Sequence, residues 1–308
     1  MKIIRPITIT DAMLTSSNVP ETDYAAYAAG TTYAAGNRVI VTASGVHKIY
    51  ESLVGGNVGN YPPTDVLAAS PNWVEVSATN RWKVFDSKVG AQTSQATSIT
   101  YKLTPGIVFD SIGFLNINAD SVQIVVTDPT DGIVYDKTVL LLTTAVTGLQ
   151  APIDWYSYFF SSFVTITDFV EFDLPPYLSG VIDITISKTG GTAYVGEIVL
   201  GTATNLGHSQ MGAAVGIHDY STKSADTWGV YSITERLYAK TVNALVFVEQ
   251  YAADDVYNIL AAYRAKPLVW VVHEDYSSLI VFGFYKDFNN VFSHESVTTL
   301  SLQIEGLT

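Results

Sequence analysis

The feature that most constrains this chain is a two-residue period. Val122-Gln123-Ile124-Val125-Val126-Thr127, Val164-Thr165-Ile166-Thr167, Val181-Ile182-Asp183-Ile184-Thr185-Ile186 and Leu245-Val246-Phe247-Val248 are short β-branched and aromatic runs bounded by Gly, Pro, Asn or Asp. Residues i and i+2 share one face of an extended chain, so such runs read as strands. Asp128-Pro129-Thr130-Asp131-Gly132 has Pro and Gly where a turn with a positive-φ exit needs them, which predicts a hairpin. The expected class is mostly β.

One segment departs from the period. Over 252–263 the apolar residues Val256, Ile259, Leu260 and Tyr263 fall at helical spacing. Asp254 and Asp255 open the segment, where the helix dipole favours acidic groups, and Pro267 ends it. The spacing predicts one amphipathic helix, followed by strands over 267–273, 279–285 and 297–304. Four zones follow along the chain: a leading strand in 1–18, a Gly-, Ala- and Tyr-rich module in 19–80, a β-sandwich in 81–205, and a C-terminal β unit with the helix in 206–308.

Composition removes whole classes of function. The 308 residues include 16 basic and 29 acidic side chains, a net charge of −13, which argues against a nucleic-acid grip. There is no cysteine, so disulfides, thiolate zinc sites and thiol nucleophiles are excluded. Hydrophobic residues make up 48%, too many for a disordered chain. The apolar runs, such as 139–142 and 269–272, are far shorter than the about 20 residues of a spanning helix, so no membrane insertion is expected. Met1–Pro6 carries two positive charges without an apolar stretch after them and does not read as a secretory signal. Only 15% of residues are charged, which suits a subunit that covers its surface with neighbours.

No catalytic constellation stands out, and no enzyme, cofactor or metal is expected. Gly207-His208-Ser209-Gln210-Met211-Gly212 is one residue too long for a nucleophile elbow. His273-Glu274 and His294-Glu295 lack the second His of a zincin motif. His208, His218 and Asp219 would make at most an open metal site. Gly55-Gly56-Asn57-Val58-Gly59 lacks the Lys-Ser/Thr pair of a phosphate loop.

The 24–80 zone differs in kind, with Tyr24, Tyr27, Tyr33, Tyr50, Tyr61 and Trp73 among Gly and Pro. Aromatic faces stack on the C–H-rich faces of sugars. Tyr33-Ala34-Ala35-Gly36-Asn37-Arg38-Val39-Ile40, then His47-Lys48-Ile49-Tyr50-Glu51, Pro62-Pro63 and Asn72-Trp73-Val74-Glu75-Val76 resemble the small chitin- or cellulose-binding modules of glycoside hydrolases. Asn37 stands where those modules carry Asp, and 55–60 is an extra glycine-rich insert. The resemblance makes Tyr33, Tyr50, Tyr61 and Trp73 candidate carbohydrate-binding residues. In so small a sheet Tyr50 and Trp73 serve equally as core, which leaves Tyr33 and Tyr61 as the expected exposed pair.

The motif order over nearly the whole chain resembles tail-module proteins of bacteriophages and prophages, most distinctively in Asn80-Arg81-Trp82-Lys83-Val84-Phe85-Asp86. Tyr194-Val195-Gly196-Glu197-Ile198-Val199-Leu200-Gly201 resembles the closing strand of a galactose-binding type jelly roll. Phe282–Phe288 and Leu300–Leu307 resemble the terminal portion of such tail proteins. The resemblance implies a tail-tip or baseplate structural component of the virion, assembled in the host cytoplasm with other phage tail proteins. It implies a homo-oligomer, ring or trimer, and leaves open contact with bacterial surface glycans. The alternative is a free carbohydrate-binding protein or receptor-binding adhesin.

Overall fold

The computed structural model describes residues 1–143, 164–292 and 296–307. Strands account for 51% of the described residues and helices for 9%, so the chain is mostly β as its two-residue period predicts. The long runs pair antiparallel in two large sheets. One has five strands in the order Leu14–Ser17, Thr93–Leu103, Val181–Val195, Ser121–Asp128 and Gly132–Leu140. Their apolar residues align in rows: Ile184 sits between Tyr101 and Ile124, Ile182 between Leu103 and Val126, and Ile186 between Ile99 and Val122. These rows pack on Ile112, Phe114, Ile198 and Leu200 of the second sheet, closing a β-sandwich core.

The predicted hairpin is present. Asp128 Oδ1 accepts hydrogen bonds from the Thr130 and Asp131 amides at 2.8 and 3.1 Å, and Gly132 supplies the positive φ of 78° that leads into Gly132–Leu140.

The second sheet has ten strands. From one edge it runs Phe169–Glu171, Ser111–Leu115, Glu197–Asn205, Lys2–Pro6, Leu268–Val271, Ile280–Val291, Val297–Gly306 and Tyr238–Glu249, with His208–Ser209 and Ala214–Asp219 both on the last strand. Strand pairing therefore crosses the expected 205/206 division, and the strand that carries it is Lys2–Pro6. That strand pairs with Glu197–Asn205 on one side and Leu268–Val271 on the other. Its alternating side chains go to opposite faces: Ile3 joins the core under the C-terminal helix, and Ile4 joins a second core with Val199, Val269 and Phe282. The segment read as one leading strand is thus two strands, Lys2–Pro6 and Leu14–Ser17, in different sheets.

The helix spans Ala253–Ala262, one residue shorter at each end than its spacing predicts, after a 3₁₀ turn at Gln250–Ala252. Val256 and Leu260 pack on Val242, Val246, Trp270 and Leu302. The strands after it are Leu268–Val271, Ile280–Val291 and Val297–Gly306. Two glycines permit close backbone approach in this sheet. A Cβ on Gly201 would lie 2.1 Å from the Arg5 carbonyl oxygen, and one on Gly283 would lie 2.0 Å from that of Glu305.

The 19–80 zone holds its own three-stranded sheet of Arg38–Val41, Lys48–Ser52 and Trp73–Ala78. Between Ala214–Asp219 and Tyr238–Glu249, an arm leaves the ten-stranded sheet and ends in the hairpin Thr222–Ala225/Tyr231–Thr234. Every residue of both hairpin strands is exposed.

Candidate functional site

The aromatic residues of the N-terminal module form one cluster. Trp73 begins its strand at a point set by Asp65, whose carboxylate accepts from the Asn72 amide at 2.6 Å, the Asn72 side chain at 2.9 Å and the Trp73 amide at 2.9 Å. Pro62 and Pro63 start the helical turn Pro62–Asp65 that presents this carboxylate, proline being preorganised for a first turn. The Trp73 indole N–H donates to the Asn60 carbonyl at 3.0 Å, tying the glycine-rich insert to the ring. Asn57 of that insert is buried, exchanges two backbone hydrogen bonds with Tyr33, and donates to the Ser52 hydroxyl.

The four predicted residues divide. Trp73 and Tyr50 are buried in the module's core with Val39 and Val41, and burial pushes the Tyr50 phenol up to about 12. Tyr33, expected at the surface, is only 8% exposed and belongs to the same core. Its ring packs edge-on to Trp73 at 5.1 Å, and its hydroxyl accepts from the Ala28 amide and donates to the Ala28 carbonyl, so the chain folds back over it. Tyr61 is 39% exposed, as expected.

Tyr27, absent from the predicted set, joins the others. It stacks on Tyr33 at 5.9 Å and meets Tyr61 edge-on at 5.8 Å and Trp73 at 6.0 Å. The signal was the paired fragments Tyr27-Ala28-Ala29-Gly30 and Tyr33-Ala34-Ala35-Gly36, which are too short to be a repeat but bring two stacked rings together. Tyr24 is exposed beside Arg38, which donates to its hydroxyl at 3.2 Å and pairs with Glu51 at 2.7 Å. Tyr61 over half-buried Tyr27 is therefore the part of the aromatic cluster that reaches the surface.

The other motifs are placed as follows. His208 pairs with Phe247 and His218 with Ala239, eight positions apart on one strand, roughly 26 Å of extended chain. They do not converge: His218 contacts Glu305 at 2.9 Å, while Asp219 is held by Lys223 at 2.7 Å. No group of three metal-ligating side chains occurs among the described residues. Ser209 donates its hydroxyl to the Val272 carbonyl instead of meeting a base. His273 and Glu274 lie in a turn after Leu268–Val271, with Glu274 paired to Lys2. His294 and Glu295 lie outside the described residues.

Two carboxyls stand out electrostatically. Glu197 is 4% exposed and accepts from the Ser87 amide at 3.0 Å; burial, with Asp86 beside it, pushes its carboxyl up to about 9. Burial likewise raises Asp86 to about 6, against the opposing pull of Lys88 and Lys83. Asp168 is also buried, and there Lys240 reaches it at 2.6 Å and the Asn116 amide donates at 2.9 Å. No protein-family model matches the chain, and no curated protein is detectably similar to it.

Proposed function

We propose that the chain is a structural component of a bacteriophage tail tip or baseplate, an assembly part and not a catalyst. It assembles with copies of itself, as a ring or trimer, and with other tail proteins in the host cytoplasm. Its N-terminal module presents Tyr61 and Tyr27 to bacterial surface glycans. The observation that carries the assembly role is the arm. Trp228 at its tip is 88% exposed, and Val230, Tyr231, Ile233 and Leu237 are exposed along it. A two-stranded hairpin is marginal in water on its own, and so many exposed large apolar side chains on one short segment suit an interaction site. The tail assignment itself rests on the resemblance carried by Asn80–Asp86 and the motif order around it.

Immunogold electron microscopy of purified virions with antibody to this chain tests the reading. Label at the tail tip or baseplate is expected; label on the capsid alone, or none, overturns it. A monomeric chain that binds a glycan array and labels no virion favours the free adhesin.

A further inference from the structure

The strand Ala214–Asp219 is an edge of the ten-stranded sheet. It pairs with Tyr238–Glu249 on one side, and among the described residues no strand lies on its other side. The direction of its backbone groups follows from the hydrogen bonds that flank the pairing. The Gln210 amide donates to the Leu245 carbonyl at 2.8 Å, and the Tyr220 amide to that of Leu237 at 3.3 Å. Residues of an antiparallel strand turn alternately toward and away from a given neighbour, so odd-numbered positions from 237 to 245 bond across this edge. Their partners on the edge strand are Ala214, Gly216 and His218, in register with Asn243, Thr241 and Ala239. The N–H and C=O groups of Val215 and Ile217 therefore point outward, and no other described segment bonds to them.

Such an edge is a template for another strand, and proteins guard it with charge, proline or a bulge. Gly132–Leu140, an edge of the five-stranded sheet, is guarded by Asp136 and Lys137 in mid-strand. Ala214–Asp219 has no proline and no bulge in its pairing. Its acidic group, Asp219, stands at the end and is neutralised by Lys223 at 2.7 Å. In a chain of net charge −13 this is a neutral edge, open to the approach of an equally acidic copy. Val215 and Ile217 are 48% and 64% exposed there. The strand is also held in place. His218 Nδ1 lies 2.9 Å from Glu305 Oε1, and the Tyr220 hydroxyl donates to the same oxygen at 3.2 Å, so little ordering is left to be done on pairing.

We propose that a second copy of this chain pairs on this edge, Ala214–Asp219 against Ala214–Asp219, about a twofold axis at Gly216. That register sets outward groups opposite outward groups: Val215 faces Ile217 of the second copy, and Ile217 faces its Val215. Both pairs exchange backbone hydrogen bonds in both directions and bring apolar side chains together, and no like charges face each other. Tyr220 of one copy then lies beside Gly212 of the other, and each arm is directed past its neighbour's exposed Met211. The inference rests on the reading of the chain as self-assembling and names the contact. Because the contact is isologous, an assembly built with it holds an even number of chains, as in two facing rings or trimers.

Ile217→Pro removes only an outward amide and spares the pairing to Tyr238–Glu249. It is expected to keep the far-ultraviolet spectrum and to halve the mass measured by light scattering. Ile217→Lys, which keeps the amide and sets a charge on the edge, is expected to do the same. The chain has no cysteine, so a single introduced one forms a disulfide only between copies. In Gly216→Cys the added Cβ meets only the Thr241 hydroxyl, at 3.0 Å. Air oxidation of this variant is expected to give a covalent dimer on non-reducing gels. Val215→Cys, set diagonally across the axis at about 7–8 Å, is expected to give none. An oligomer that keeps its mass in both Ile217 variants, or a Gly216→Cys chain that stays uncrosslinked, overturns this contact and leaves self-assembly standing. A wild-type chain that is monomeric overturns the contact and self-assembly together.

Discussion

At the scale of single residues, the same residue type serves opposite ends. Trp73 and Tyr61 are both aromatics of one small module, yet one is enclosed with its N–H satisfied and the other faces solvent. Trp73→Ala should cost about 3–5 kcal/mol, enough to unfold the module, as judged by loss of its near-ultraviolet circular dichroism. Tyr61→Ala should leave the thermal midpoint within about 1 °C and reduce only retention on insoluble chitin or cellulose. Glu197 makes a prediction of a different kind. Its folded-state value of about 9 lies above the ordinary 4.5, so the folded protein holds a proton that the unfolded chain releases as pH rises. Its contribution to stability is complete below pH 4.5, falls as pH climbs toward 9, and is then fully lost. Glu197→Gln removes that slope. Thermal unfolding between pH 5 and 9 should show a flatter profile for the variant and a higher midpoint at pH 8; equal slopes in the two proteins would contradict the buried, protonated carboxyl.

At the scale of elements, most strands and the helix follow from local pattern. The helix needs only Val256 and Leu260 on its inner face, acidic residues at its start and Pro267 beyond its end. The arm does not follow from pattern. Tyr231–Thr234 has a strand-like sequence, but alternation does not say whether its apolar face will be covered within the chain. Here it is not. Changing Trp228 and Tyr231 together to Ser should leave the far-ultraviolet spectrum intact and shift the mass measured by light scattering from oligomer toward monomer. An unchanged oligomer would remove the arm from the assembly interface.

At the scale of the whole molecule, the ten-stranded sheet couples the sandwich to the C-terminal unit. Because Ile3 and Ile4 enter different cores from one strand, loss of either should be felt in both. Ile4→Ala should cost about 3 kcal/mol and lower one shared calorimetric transition. Two transitions, only one of them shifted, would show that the two units unfold apart. Gly201→Ala, which sets a methyl against the Arg5 carbonyl in the same strand pair, should cost about 2–3 kcal/mol by the same measurement.

The residues themselves determined the strands, the hairpin at 128–132 and the helix, because those depend on side-chain period and turn chemistry within a few positions. They also placed Tyr50 and Trp73 as candidates for a small core and Tyr61 at its surface. Tyr33 was misplaced because its burial comes from a backbone bridge to Asn57 and a hydroxyl bonded to Ala28, neither visible in spacing. The sharing of one sheet across the 205/206 division was equally hidden. Lys2 finds Asn205 and Val271 as partners, and nothing local specifies pairing over such separations. Period and turn residues act between near neighbours, and so fix elements. Which elements meet is decided by the burial of apolar faces across the whole chain.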